Sequence, residues 1–216
     1  MSARIQALAV GRARLVDYRG GPISTSIFKR PIAGPVMVRR HNLDGDQQSD
    51  LSAHGGEYKA VYAYSAEHYE WWTGRLGREL EPANFGENVT TVGLDEADVA
   101  IGDVFRVGDA ELEATEPRLP CFKLGIRFGD PGMVKAFAAA GRFGVYFRVV
   151  SEGRITIGDT FERLRRPEAV VPVPELARLY LRDHGDTAGI RRVLSVAHLD
   201  PSWRGYFEKR LPAVEG

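Results

Sequence analysis

The stretch Asp103-Val104-Phe105-Arg106-Val107-Gly108-Asp109-Ala110-Glu111-Leu112-Glu113-Ala114-Thr115-Glu116-Pro117-Arg118-Leu119-Pro120-Cys121-Phe122-Lys123-Leu124 decides both the fold class and the first candidate site. Asp103 to Val107 and Ala110 to Thr115 are β-prone runs separated by Gly108-Asp109. A two-residue connection with glycine first predicts a tight hairpin. The second strand leads into Glu116 to Leu124, where Pro117 and Pro120 stiffen the backbone just where the single cysteine of the chain appears. Arg118 and Lys123 flank Cys121, and cations near a thiol favour the thiolate, which is both a nucleophile and a soft metal ligand. The plain alternative is a small buried hydrophobe.

The rest of the chain agrees with a turn-rich β body. Its 216 residues contain 24 glycines and 12 prolines, above a usual combined share of about an eighth. Ile5 to Val16 alternates loosely until Gly20-Gly21-Pro22 breaks the pattern. Ser24 to Lys29 and Pro35 to Arg39 read as strands separated by Pro31 to Gly34, and Ala60 to Tyr64 as another after the polar loop His41 to Gly56. Ser65 caps a predicted helix whose apolar face is Tyr69, Trp72 and Leu76, with Gly77 as its stop. A second helix has Asp130 as cap, Pro131 at its first position, Val134 and Phe137 inside and Gly141 beyond its end. Ile101-Gly102-Asp103-Val104-Phe105 and Ile157-Gly158-Asp159-Thr160-Phe161 share the pattern I-G-D-x-F. Each predicts a tight turn into a strand, with the aspartate taking backbone donors; chance recurrence of a common turn is the alternative.

From Arg165 to Pro174 the character changes to a stiff linker, and the period beyond it is helical. Leu176, Leu179 and Tyr180 share one face, Ile190, Val193 and Leu194 another, and Asp200-Pro201 opens a helix carrying Trp203, Tyr206, Phe207 and Leu211. Three helices of this size cannot bury a core alone, so they are expected to pack on the body.

Composition narrows the function classes. With 29 basic and 29 acidic residues the formal charge is zero, which excludes a global field for wrapping nucleic acid. Arg178, Arg182, Arg191 and Arg192 are the phosphate contacts a helix-turn-helix reading would need, but Asp183, Asp186 and Glu208 dilute that field, so no nucleic-acid partner is expected. One cysteine allows no intrachain disulfide and fits a reducing, cytoplasmic setting. No run approaches the roughly 18 apolar residues of a membrane span, so no membrane association is expected either. The histidines are too scattered for a zinc framework, and no dinucleotide, P-loop or nucleophile-elbow motif is present. Ser26-Ile27-Phe28-Lys29 fits S-x-x-K, but within a strand its Ser and Lys would project to opposite faces, so it is set aside.

Two further clusters carry polar chemistry. In the loop Asp46 to Lys59, His54-Gly55-Gly56 would let backbone amides approach an anion. Lys59 adds a charge for a phosphate, and Asp50 or His54 would orient or transfer a proton. A solvated glycine turn is the alternative there. In Phe85-Gly86-Glu87-Asn88, Glu87 and Asn88 would bond a heterocycle edge or else cap a turn.

In order, H-G-G before a K-A-V strand, F-G-E-N, and P-R-x-P-C-x-K-L resemble the MOSC domain, the C-terminal domain of molybdenum cofactor sulfurases and its stand-alone relatives. The likeness is to the bacterial YiiM-like branch and covers roughly residues 20–165, within a body of residues 1–166. Residues 167–216 resemble the three-helix module appended in that branch. The resemblance implies a mixed α/β, β-rich fold, a barrel-like body of mostly antiparallel strands with peripheral helices. It also implies a molybdenum–molybdopterin cofactor with Cys121 as the metal ligand, and reduction of N-hydroxylated compounds such as hydroxylaminopurines. Lys59, Arg118 and Lys123, with the amides of Gly55 and Gly56, would hold the phosphate; Glu87 and Asn88 would bond the pterin. No flavin, haem or iron–sulfur motif is present, so electrons would come from a separate reductase. Departures are Glu116, where the family more often has Gln, and Glu57, where the branch often has Asp. A sulfur carrier using a Cys121 persulfide is the rival within the family; a non-catalytic binding module is the rival from outside it.

Overall fold

The computed structural model describes residues 3–49 and 55–215. Among these, the chain forms β1 (Arg4–Val10), β2 (Arg14–Tyr18), β3 (Gly21–Thr25), β4 (Arg30–Ile32), β5 (Val36–Val38), β6 (Val61–Ser65), α1 (Ala66–Leu76), β7 (Val89–Val92), β8 (Val104–Val107) and β9 (Ala110–Pro117). It continues through α2 (Phe122–Phe128), α3 (Gly132–Ala140), β10 (Val145–Ser151), β11 (Gly153–Ile155), β12 (Phe161–Arg165), α4 (Val173–Leu181), α5 (Thr187–Leu194) and α6 (Pro201–Glu215).

Eight strands form one sheet in the order β12-β8-β9-β10-β6-β7-β1-β4. Its ladders are antiparallel except β6 with β7, where helix α1 supplies the crossover that a parallel pair requires. The sheet curls on itself. Arg4 bridges Thr160, and Ile5 exchanges backbone hydrogen bonds with Asp159 and Gly158 just before β12. Its far sides meet there without a continuous closing ladder, so the body is barrel-like rather than a closed barrel. Ile5, Leu8, Phe105, Leu112 and Phe147 fill the inside, and the central β6 is buried along its whole length.

The decisive hairpin forms as read: Gly108 takes φ +56° between β8 and β9. The I-G-D-x-F repeat is one turn used twice. Gly102 and Gly158 have positive φ, the Asp103 carboxylate accepts from the Ala100 N–H at 2.9 Å, and that of Asp159 from the Thr156 N–H at 2.7 Å. The strands that follow, β8 and β12, pair with each other.

Some local expectations need correction. Ser24 to Lys29 is not a strand: β3 ends at Thr25, and residues 26–29 form an irregular link. The supposed break Pro31 to Gly34 instead begins inside β4, where a proline is tolerated because β4 is the edge of the sheet. Gly20-Gly21-Pro22 is not an interruption but part of a hairpin, with Arg19 at φ +56° and Gly20 at φ +81°. Asp130 lies one residue before the cap position, which Pro131 occupies, and its carboxylate accepts from the Gly132 N–H at 2.7 Å. Helix α2, starting right after Cys121, was not anticipated.

The C-terminal helices pack on the body as expected. Val173 donates to the Val99 carbonyl and Ile101 to the Val171 carbonyl, so the linker is pinned rather than loose. Leu176, Leu179, Ile190, Val193 and Phe207 are fully buried. Arg178 is bonded to Glu175, Asp183 and Asp186, and Arg192 to Glu175, so these cations are committed within the module. Among the described residues no helix is long and apolar enough to cross a membrane.

Candidate functional site

A cavity of about 480 Å³ opens where the end of β9, the start of α2 and the C-terminal helices meet. Pro117 and Pro120 carry the chain out of the sheet in extended form, and Cys121 follows in extended backbone as the cap residue of α2. The thiol is half-buried on the cavity wall.

Arg118 lines the same wall and is buried, with its guanidinium 5.1 Å from the centre of the Phe137 ring. No carboxylate among the described residues pairs with it, and its Nη1 is buried without a hydrogen-bond partner. Burial pulls the Arg118 pKa down, but attraction to Cys121 and to the hydroxyls of Tyr62 and Tyr146 outweighs this, and the net shift is upward. Arg118 therefore stays a cation in a nearly dry place, its guanidinium over Phe137 and its Nη1 donor capacity unspent. Lys123, the second residue of α2, is also buried and reaches the Ser49 hydroxyl at 3.4 Å.

Lys59 sits at the cavity with its Nζ 3.0 Å from Glu116 Oε1, while Glu116 Oε2 accepts from the Trp203 indole at 2.6 Å. Burial pushes the Glu116 carboxyl up, and Lys59 opposes the shift. Asn88 reaches the cavity but is committed: its Oδ1 accepts from the Tyr62 N–H at 3.2 Å and its Nδ2 donates to Asp46 at 2.9 Å.

The structure redirects other expected residues. Glu87 is fully buried and does not line the cavity. Its carboxylate accepts from the Tyr69 hydroxyl, the Thr90 hydroxyl and the backbone N–H groups of Ala83 and Phe85. Four donors saturate it, so it organises the F-G-E-N turn instead of bonding a ligand. Gly55 and Gly56 do not line the cavity among the described residues, and the Gly56 N–H is taken by Gln48 Oε1 at 2.8 Å. Asp50 and His54 lie outside the described residues.

Other cavity residues are ones that the sequence pattern sets aside or does not reveal. Ser26 and Lys29 both face the cavity, because residues 26–29 are irregular and strand alternation does not apply. Lys29 is clamped by both Asp46 oxygens, at 2.5 and 2.6 Å, so it cannot act as a base toward Ser26. Burial lowers its pKa and Asp46 opposes the drop. Tyr62 and Tyr146 add two phenols, their rings 5.0 Å apart. Tyr180, Trp203 and Tyr206 from α4 and α6 complete the wall. Among the described residues no group of three or more His, Cys, Asp or Glu side chains is placed to hold a metal ion.

A curled, mostly antiparallel sheet that presents a lone thiol beside a buried arginine, over a cavity walled by an appended helical module, defines the class of a MOSC protein with a C-terminal helical extension. The MOSC domain model matches residues 50–162 and the YiiM-like, 3-alpha helix domain model matches residues 171–212. The chain belongs to the MOSC-domain family, in the branch that carries the YiiM-like three-helix module. It is 43% identical to the uncharacterized protein YflK of Bacillus subtilis over 206 residues, 95% of this chain and 93% of that one. It is 33% identical to protein YiiM of Escherichia coli over 190 residues, 86% and 84% of the two chains. A protein named Reductase from Gibberella moniliformis is 39% identical over 154 residues, 68% of this chain but 27% of that much longer one. The crystal structure of YiiM from Geobacillus stearothermophilus matches with a TM-score of 0.82 and 32% identity, covering 97% of this chain and 99% of that one.

Proposed function

We propose that the protein reduces N-hydroxylated compounds, such as hydroxylaminopurines, with a molybdenum–molybdopterin held in this cavity and Cys121 as its protein ligand. The observation that carries the reading is the half-buried thiol on the wall of a cavity of about 480 Å³, beside a buried Arg118 whose Nη1 lacks a partner. The donor set fits the group: a thiolate is a soft ligand suited to a metal already chelated by sulfur. Arg118 and Lys123 supply positive charge for a phosphate, with Lys59 held beside the cavity by Glu116. The fungal relative named as a reductase supports the direction of the chemistry.

When bound, the molybdenum supplies two-electron chemistry at the N–O bond. The balance is R–NHOH + 2 e⁻ + 2 H⁺ → R–NH₂ + H₂O: the N–O bond breaks, nitrogen is reduced and oxygen leaves as water. The electrons come from a separate electron-transfer protein. Arg118 holds anionic charge against the wall and keeps the Cys121 sulfur in an electropositive setting. His54 or Asp50, from the loop that precedes Lys59, is the proposed proton donor.

The test is purification from a host that makes molybdopterin, with molybdenum and pterin measured per chain, and hydroxylaminopurine reduction assayed with a reconstituted electron-transfer partner. Stoichiometric metal and pterin are expected, with loss of activity and metal in Cys121→Ala. Full activity in that variant rejects the ligand role. Metal-free protein carrying cyanide-labile sulfur on Cys121 replaces the reading with that of a sulfur carrier.

A further inference from the structure

The cavity has two chemically distinct walls. The body contributes the thiol and the cations Arg118, Lys123 and Lys59, whereas the three-helix module contributes Tyr180, Trp203 and Tyr206. Trp203 is immobilised: its indole donates to Glu116, and its ring stacks on the buried Phe207 at 5.7 Å with 17° between planes. Tyr180 and Tyr206 stand edge-on to that fixed ring, at 5.3 and 6.2 Å, and 5.2 Å from each other. Tyr180 is 36% exposed and Tyr206 half-buried, and among the described residues no hydrogen bond holds either hydroxyl. Core packing accounts for Trp203 and for part of Tyr206, and both tyrosines still contribute surface to the cavity lining.

We infer that Tyr180 and Tyr206, braced by Trp203, form the specificity wall that selects a flat aromatic or heteroaromatic amine over an aliphatic one. The assignment deepens the proposed reductase function and rests on it for the reaction, though not for binding. Rings held at fixed angles at a cavity rim offer face and edge contacts to a planar π-system and little to a puckered saturated ring. Stacking of a base on one aromatic side chain amounts to roughly tenfold in affinity or more. The cations on the body side favour an anionic ligand, so the two walls sort two ligands: the cofactor phosphate against the body, and the planar substrate against the module.

The test uses the full chain and the paired variants Tyr180→Ala/Tyr206→Ala and Tyr180→Phe/Tyr206→Phe. Adenine binding is measured by equilibrium dialysis and pterin content by extraction. The ratio of kcat/KM for N6-hydroxylaminopurine to that for N-hydroxycyclohexylamine is measured alongside. The expected result is a fall of about tenfold or more in both adenine affinity and the kcat/KM ratio in the alanine pair. Recovery in the phenylalanine pair and retention of pterin in both are expected too. An alanine pair that binds adenine as the parent protein does overturns the inference. So does one that loses pterin in step with adenine, because the rings then serve the cofactor. Should the parent protein reduce neither substrate yet bind adenine in this ring-dependent way, the wall stands and the reductase reading fails. Matching unfolding temperatures in the two pairs exclude a collapsed module.

Discussion

Trp203 on α6 donates its indole N–H to Glu116 at the end of β9, 2.6 Å away, tying the appended module to the segment that presents Cys121. The acceptor is a buried carboxylate whose other oxygen meets Lys59. Trp203→Phe removes the donor and keeps most of the ring, so it is expected to destabilise the protein by about 1–3 kcal/mol. Glu116→Gln, which places the residue more usual in the family, retains an acceptor for the indole but takes the counter-charge from Lys59, whose side chain is 21% exposed and so stays within reach of water. Its expected cost is about 1 kcal/mol. Urea unfolding of both variants checks the order; an equal or reversed pair rejects the bond as the tie.

Arg118 is the buried cation nearest in character to an anion receptor. Arg118→Gln keeps polarity and loses charge, and pterin content after purification is expected to fall roughly tenfold to a hundredfold. Arg118→Lys is not expected to restore it fully, because an ammonium cannot reproduce the planar fork or its seat over Phe137. Normal pterin in Arg118→Gln would remove this residue from the binding role.

Burial pushes the Glu87 carboxyl up, against the bonds from Tyr69, Ala83 and Thr90 that pull it down. A carboxyl raised in the folded state stabilises the fold below its ordinary value of 4.5, and that contribution is lost as pH rises through the folded value. Glu87→Gln does not titrate. The Tm of the parent protein relative to this variant is therefore expected to be highest near about pH 4 and to decline toward neutrality. A difference that is flat or grows with pH contradicts the assignment.

The twin I-G-D turns differ in what surrounds the aspartate. Asp103 is fully buried and meets Arg166 at 2.8 Å and Arg163 at 3.2 Å, besides the Ala100 N–H. Asp159 mainly serves the Thr156 N–H. Asp103→Ala is expected to cost about 2–4 kcal/mol, water at the half-exposed arginines softening the loss of a buried pair. Asp159→Ala should cost about 1 kcal/mol. Thermal or urea unfolding of the two variants tests the ranking.

How much was legible depends on whether a property is local in the sequence. The Gly108-Asp109 hairpin, the Ser65 and Gly77 helix limits and the paired I-G-D turns are set by residues within a few positions and appear where expected, although Ser65 gives its hydroxyl to Glu67 and not to a cap bond. Arg118, Cys121 and Lys123 were also visible together, because one short segment carries all three. Lys29, Asp46, Tyr62, Tyr146 and Tyr180 were not, since only the closure of the sheet and the docking of α4 and α6 bring them to one cavity. Glu87 and Gly56 misled for the opposite reason. Their residue types suit a ligand, but nearby Tyr69, Thr90 and Gln48 use up those same groups. Sequence shows a polar group's capacity; it does not show which neighbour has already claimed it.

The thiol-bearing wall is encoded by residues 116–123, and the aromatic wall by residues 180–206. During synthesis the first wall therefore leaves the ribosome while the second is still being made. Any guest that needs both sides cannot be retained until α6 has been translated and seated, so loading follows folding of the module instead of guiding it. A truncation ahead of α6 would take Trp203 and Tyr206 out of the cavity lining while leaving Tyr180 as what remains of the aromatic side.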